Sequence, residues 1–257
     1  MIQSFFKKIN LKKNFAQWIV SNLPSNVNEM IYIEPFSGGA CVLLNKTKSK
    51  IEVINDFDGE VVGIYKALRN EPKELIRRLN LYKCCEETFI RSQKKSGFED
   101  YLDRAVNDFI VTKMSKSESK KVFCSEVCQK CKKSKIAPWN GFIDELNQIS
   151  ERIQETHIFN LPAIEIIKKF DTPDVFLFCD PPILIETTNK KSMYESKMTT
   201  DDHIQLSIAL NNFSGKVLLT GVQNPLYKRL YGSWKMEKKK TTSKVKKNVE
   251  VLWKNYE

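Results

Sequence analysis

The run Val175-Phe176-Leu177-Phe178-Cys179 contains no polar residue and is followed at once by Asp180-Pro181-Pro182-Ile183. A short apolar run bounded by turn residues reads as a strand buried on both faces, as in a parallel sheet covered by helices. The two prolines cannot continue a hydrogen-bonded ladder, so the strand ends there. Asp180 therefore stands where a buried strand emerges, and in an open α/β sheet the carboxyl ends of the strands are where ligands bind. The rigid turn holds the Asp180 carboxylate and the carbonyls of Asp180 and Pro181 in fixed directions. That acceptor array suits a donor such as an exocyclic amine. An Asp-Pro turn that merely ends a strand is the plainer reading of the tetrapeptide alone.

The chain before it has the order of a nucleotide-binding βαβ unit. Met30-Ile31-Tyr32-Ile33 reads as a strand closed by Glu34-Pro35. Phe36-Ser37-Gly38-Gly39-Ala40 then forms a glycine turn leading into a helix through Val42-Leu43-Leu44. Such a turn lets backbone approach a ligand and presents free N–H groups at a helix start. Ile51-Glu52-Val53-Ile54 is a second strand ending at Asn55-Asp56. An acid there, roughly 20 residues after the glycine turn, is placed to accept hydrogen bonds from a ribose. Its plainer role is to cap the helix that begins near Gly59.

Elsewhere the periodicity predicts helices over 12–23, 59–69, 162–169 and 201–211, a short helix after Asn224-Pro225, and strands at 157–160 and 216–220. Trp234 onward and 249–253 read as two closing strands. Between about 70 and 156 the texture is helical, charged and nearly empty of β-branched strands. The expected organisation is a discontinuous α/β domain, 1–69 and 157–257, with a Rossmann-like sheet carrying helices on both faces. A helical subdomain, 70–156, is inserted in it.

The 257 residues hold 42 Lys and Arg against 31 Asp and Glu, a net charge of +11. The excess is clustered. Residues 113–135 hold eight lysines, among them Lys113, Lys116, Lys130, Lys132, Lys133 and Lys135, against Glu118 and Glu126. Residues 235–247 hold seven, including Lys238, Lys239 and Lys240, against Glu237. Clustered lysine is the footprint of a polyanion binder, and solvated lysine-rich faces are the alternative. The amino-terminal stretch MIQSFFKKINLKKN lacks the apolar core of a secretory signal, and no apolar run approaches the ~20 residues that span a bilayer. An intracellular, monomeric protein with no membrane partner is expected.

Seven cysteines without a regular framework point to reduced thiols. Cys124-x3-Cys128-x2-Cys131 has the spacing of an iron–sulfur triad, but Lys130 precedes its last cysteine and its setting is a lysine-rich insertion. A structural zinc would need a distant fourth ligand from Cys84, Cys85 or His157. Unpaired thiols are expected and no metal is assigned.

Taken in order, Glu34-Pro-Phe-Ser-Gly-Gly-Ala40, Asn55-Asp56, Asp180-Pro-Pro, Met198-Thr-x-x-Asp202-His203 and Glu250-Val-Leu-Trp253-x-Asn255-Tyr256 resemble Dam-type DNA adenine-N6 methyltransferases. The resemblance covers nearly the whole chain and is weakest across the helical insertion. It implies S-adenosylmethionine as methyl donor and a flipped-out adenine in double-stranded DNA as substrate. It also implies that Phe36, Gly38 and Gly39, with Glu34, wall the cofactor. Asp56 would bind the ribose, Phe57 would lie against the cofactor's adenine, and Lys12 matches an amino-terminal cofactor lysine. Asp180, Pro181, Pro182 and Ile183 would form the catalytic turn, Asp180 touching both cofactor and target amine.

Two departures stand out. Ile183 replaces the aromatic, usually tyrosine, that stacks on the flipped base in the family. Ile9-Asn10-Leu11-Lys12 replaces a glycine-containing turn before the lysine. Losing a stacked ring costs ~1–3 kcal/mol, a weakening of roughly 10–100-fold. The alternative they leave open is a catalytically silent nucleic-acid-binding protein on the same scaffold. His203 is expected in the first turn of a helix capped by Thr200 or Asp201, with no catalytic part.

Overall fold

The computed structural model describes residue 2 and residues 13–94, 100–116, 120–124, 139–182, 184, 198–240 and 249–257. By internal contacts the chain divides into two compact units. One comprises Met1–Gln17, Gly38–Lys46 and Asp58–Asn160, the other Trp18–Ser37, Thr47–Phe57 and Leu161–Glu257. The first helix, α1, runs Lys13–Ser21.

The second unit is built on strands β1 (Ile31–Glu34), β2 (Ile51–Asn55), β4 (Val175–Cys179), β5 (Lys216–Val222), β6 (Lys235–Lys240) and β7 (Val249–Lys254). They lie in the order β2-β1-β4-β5-β7-β6. The first four are parallel, and β7 runs antiparallel between β5 and β6. This is a mixed, Rossmann-like sheet. Every residue of β4 is buried, as the unbroken apolar run requires. Burying Phe176, Leu177 and Phe178 contributes ~1.5–3 kcal/mol each. Tyr32 on β1 stacks against Phe176 with ring centroids 5.8 Å apart.

Helix α7 (Ala163–Lys169) precedes β4, and α8 (Thr200–Asn211) lies between β4 and β5. The two helices pack together. Helix α9 (Pro225–Leu230) follows β5, with Pro225 in its first turn and the Asn224 side chain accepting from the Tyr227 N–H at 2.8 Å. The carboxyl-terminal residues lock the sheet. Asn255 accepts from the Val217 N–H at 2.7 Å and donates to the Gly215 carbonyl at 3.0 Å. Tyr256 donates to the Asn22 carbonyl at 2.8 Å. Gly215 is required, because a Cβ there would lie 2.3 Å from the Val175 carbonyl oxygen.

Among the described residues, the first unit is helical with one short strand. It holds α2 (Gly59–Asn70), α3 (Pro72–Leu79), α4 (Glu86–Ser92), α5 (Tyr101–Met114), α6 (Trp139–Ile153) and β3 (His157–Phe159). Its core is aliphatic and aromatic: Leu75, Leu79, Phe89, Phe109, Ile110, Leu146 and Ile153 are all buried. Arg78 on α3 ties that helix to the start of α5 by bonds to Asp100 at 2.8 Å and Asp103 at 2.6 Å. Asp100 also caps α5.

One expected element differs. Residues 41–46 form successive turns rather than a regular helix, with Leu44 N–H bonded to the Ala40 carbonyl and Lys46 N–H to that of Val42. Gly38 and Ala40 sit at φ of 44° and 46°, a left-handed start that does not feed a regular helix. The Asn45 side chain takes the Cys41 carbonyl at 2.9 Å and competes with the backbone ladder.

Candidate active site

β1 and β4 are neighbours, and the sheet extends from them in opposite directions, to β2 on one side and β5 on the other. The carboxyl ends of β1 and β4 therefore flank a topological switch point, where open α/β sheets bind ligands. Glu34 ends β1, and Asp180 follows the last residue of β4.

Glu34 is buried, and its Oε1 accepts from the Tyr32 hydroxyl at 2.8 Å. Beyond it, Asn55 at the end of β2 fixes the loop. Its Nδ2 donates to the Pro35 carbonyl and to the Leu161 carbonyl, both at 2.9 Å. Its Oδ1 accepts from the Leu161 N–H at 2.9 Å, and its carbonyl accepts from the Ser37 N–H at 2.8 Å. Asn55 is thus the inward-facing clamp and Asp56 comes next, at the strand's exit. The cap of α2 is Asp58, whose side chain accepts from the Glu60 N–H at 2.9 Å. The capping alternative for Asp56 falls away. Phe57 is 78% exposed, a large ring held out at the end of β2.

The pairing of Cys179 with Leu219 sets Thr220 of β5 beside Asp180. The Thr220 hydroxyl donates to Asp180 Oδ1 and lies 3.3 Å from the Cys179 carbonyl. Burial pushes the Asp180 carboxyl up from the usual carboxylate range, and the bond from Thr220 pulls it back. Behind the turn lies an aromatic cluster. Tyr227 has its ring 5.2 Å from Trp253 and 5.4 Å from Tyr231. Burial, then the charge of Asp180, raises the Tyr227 phenol, so it stays protonated.

His203 on α8 is wholly buried, with Nδ1 3.1 Å from the Tyr227 hydroxyl. Burial lowers its pKa, opposed by the charge of Asp202 and by the Pro182 carbonyl. The helix cap is Thr199, in a reciprocal capping box with Asp202, so the expected cap at Thr200 or Asp201 moves back.

A family model described as D12 class N6 adenine-specific DNA methyltransferase matches residues 11–245. The chain belongs to this family. The Type II methyltransferase M.MjaIII of Methanocaldococcus jannaschii is 25% identical over 266 residues, covering 92% of this chain and 90% of that protein. The Type II methyltransferase M1.LlaDCHI of Lactococcus lactis subsp. cremoris is 23% identical, covering 94% and 88%. Among solved structures, the rRNA methyltransferase aviRa from Streptomyces viridochromogenes is 11% identical, with a TM-score of 0.41 over 93% of this chain and 81% of that one. At that score the likeness decides nothing, and the fold stands on its own strand order. As a D12 methyltransferase, the protein methylates the N6 amine of adenine in DNA.

The second unit of this D12 methyltransferase brings Glu34, Phe36, Asp56, Phe57 and Asp180–Pro182 onto its strand ends and the loops that follow them. Gly38, at φ 44°, and Gly39 lie in the turn beyond. Lys12, Ile183, Lys130, Lys132, Lys133, Lys135, Cys128 and Cys131 lie outside the described residues. Lys113 is 4% exposed, with its Nζ 3.2 Å from the Phe142 ring centroid, so its charge faces the interior of the helical unit. Lys116 is exposed. Lys238, Lys239 and Lys240 lie on β6, at one end of the strand order. Lys239 has its Nζ 5.5 Å from the Trp18 ring centroid.

Asn55, Thr220 and Tyr227 were not among the expected site residues. Thr220 carried a signal, as a polar residue directly after the apolar run Val217-Leu218-Leu219. Among the described residues, no helix is long and apolar enough to cross a membrane.

Proposed function

We propose that Asp180 and the Pro181 carbonyl receive the N6 amine of an adenine turned out of double-stranded DNA, and that the protein uses S-adenosylmethionine to methylate it. The observation that carries this reading is the half-buried Asp180 carboxylate at the switch point, steadied by Thr220 and followed by two prolines. The amine's lone pair is delocalised into the purine ring, so it is a poor nucleophile. Two acceptors that draw its hydrogens to fixed positions turn the lone pair out of that conjugation. The contribution is positioning and preorganised electrostatics.

The residues present fit the cofactor. An exposed aromatic, Phe57, directly follows an acid, Asp56, at the end of the second parallel strand. That pairing suits a flat purine and the ribose hydroxyls attached to it. Glu34, Phe36, Gly38, Gly39 and Lys12 complete the set that would hold it. When bound, S-adenosylmethionine supplies an electrophilic methyl group. Extruding the base costs a few kcal/mol, recovered in pocket contacts. Ile183 offers that base an aliphatic face, which lowers the rate and leaves the acceptor pair intact. The lysines at 116, 130, 132, 133, 135 and 238–240 contact phosphates, with residues 70–156 as the target-recognition part. The protein acts inside the cell, as a monomer.

The test is incubation with methyl-labelled S-adenosylmethionine and mixed-sequence DNA, followed by hydrolysis to nucleosides. Label in N6-methyladenine is expected. Label in a methylated cytosine, or none at all, contradicts the reading.

A further inference from the structure

Residues 41–46 make turns where a continued helix would pair the carbonyls along its ladder, so these carbonyls take their donors one by one. The Ala40 carbonyl accepts from the Leu44 N–H at 2.9 Å, and that of Val42 from the N–H groups of Asn45 at 3.1 Å and Lys46 at 2.9 Å. The Cys41 carbonyl accepts from the Asn45 side chain. The Leu43 carbonyl is reached from far along the chain: Arg152, in the last turn of α6, donates to it from Nη2 at 2.7 Å. The Tyr65 hydroxyl, on α2, lies 3.3 Å from the Gly38 carbonyl at the head of the turn. All of these residues belong to the helical unit.

Of the two long-range anchors, Arg152 is the stronger. Its donor is charged and its distance short, whereas 3.3 Å is long for a hydroxyl on a carbonyl. A guanidinium carries its donors in a fixed plane, so the bond sets direction as well as distance. Leu43 is wholly buried, where loss of a donor is felt most. The turn needs such anchors. Two successive glycines, Gly38 and Gly39, leave the backbone unusual freedom, and Gly38 already uses it at φ 44°. Tyr65 holds the turn at its first residue and Arg152 holds it a few residues on.

We propose that Arg152 is the positioning residue of the glycine turn, supported by Tyr65, and that it sets the affinity for S-adenosylmethionine through that backbone. This rests on the reading that Gly38 and Gly39 wall the cofactor. Because α6 falls within residues 70–156, part of the stretch assigned to target recognition then serves the cofactor instead.

Arg152→Met keeps the length of the side chain and removes its donors. In the protein without cofactor, amide hydrogen exchange should quicken at Leu44 and Lys46, whose N–H groups close the turns. Unchanged exchange overturns the proposal. Affinity for S-adenosylmethionine, measured by calorimetry, should fall about tenfold, with kcat at saturating cofactor close to that of the wild type. Arg152→Lys, which keeps a charged donor, should recover part of the loss. Equal losses in the two variants, both folded by thermal melting, would mean that a donor at this position does not matter, and would overturn the proposal. Should Arg152→Met fail to fold, Tyr65→Phe decides: exchange in the turn must quicken and affinity must fall, and no change in either overturns it. Exchange is read without cofactor or turnover, which separates two failures. Faster exchange with unchanged S-adenosylmethionine affinity would show a loosened turn against which no cofactor lies. The fault would then sit in the reading of Gly38 and Gly39, and the role of Arg152 would fall with it.

Discussion

The Thr220 hydroxyl donates to the Asp180 carboxylate, joining β5 to the residue that follows β4, its parallel neighbour. Burial favours the neutral acid at this position, and the threonine is the group that opposes it. An ionised carboxylate is a stronger acceptor for an amine than the neutral acid, so the bond bears directly on the proposed activity.

Replacing Thr220 by Val keeps the shape and removes the donor. The Asp180 pKa then rises further, and the carboxylate forms only at higher pH. The acidic limb of the single-turnover rate profile should move to higher pH. A profile superimposable on that of the wild type would contradict the assigned role of Thr220.

Asp56→Ala removes the acceptors proposed for the ribose hydroxyls. S-adenosylmethionine affinity should fall by ~1.5–3 kcal/mol, as for hydrogen bonds to a charged group. Calorimetry on the folded variant checks this, and unchanged affinity would take the cofactor away from the end of β2.

In the helical unit, burial and then the charge of Glu60 raise the Asp108 carboxyl to about 6, against the opposing charges of Lys120 and Arg104. A carboxyl raised on folding adds stability that is complete below its unfolded pKa and is lost as pH rises through about 6. Above that pH the protein holds a poorly solvated charge. Asp108→Asn should therefore stabilise the protein at pH 8 by ~1–3 kcal/mol and change little at pH 4. Denaturant melts at the two pH values decide, and an equal effect at both would contradict the linkage.

Much of this was legible in the chain. β4 and Asp180-Pro181-Pro182 announce themselves because an unbroken apolar run can only be buried on both sides, and prolines can only end it. Which of two adjacent polar residues turns inward is not a local property. Asn55 became the clamp and Asp56 the exit residue because burial on β2 runs unbroken from Glu52 to Asn55 and Leu161 approaches from more than 100 residues away. Thr220 meets Asp180 only once the β4–β5 register is set. The Val42-Leu43-Leu44 run has the composition of a helix. Its failure to become one follows from the left-handed backbone at Gly38 and Ala40, invisible in hydrophobic pattern.

Ile183 gives a prediction from sequence alone. Ile183→Tyr restores a ring at the stacking position, and the methylation rate should rise by roughly 10–100-fold, the range set by ~1–3 kcal/mol of stacking. A fall in rate would mean that the pocket is shaped around isoleucine.

The most direct measurement compares wild type and Asp180→Ala for N6-methyladenine formed per enzyme in a single turnover, with S-adenosylmethionine binding measured on the same samples. The wild type should form N6-methyladenine, and the variant should bind the cofactor and form none above background. Methylation persisting in Asp180→Ala would contradict the account, because the amine would then be receiving its acceptor from somewhere other than this turn.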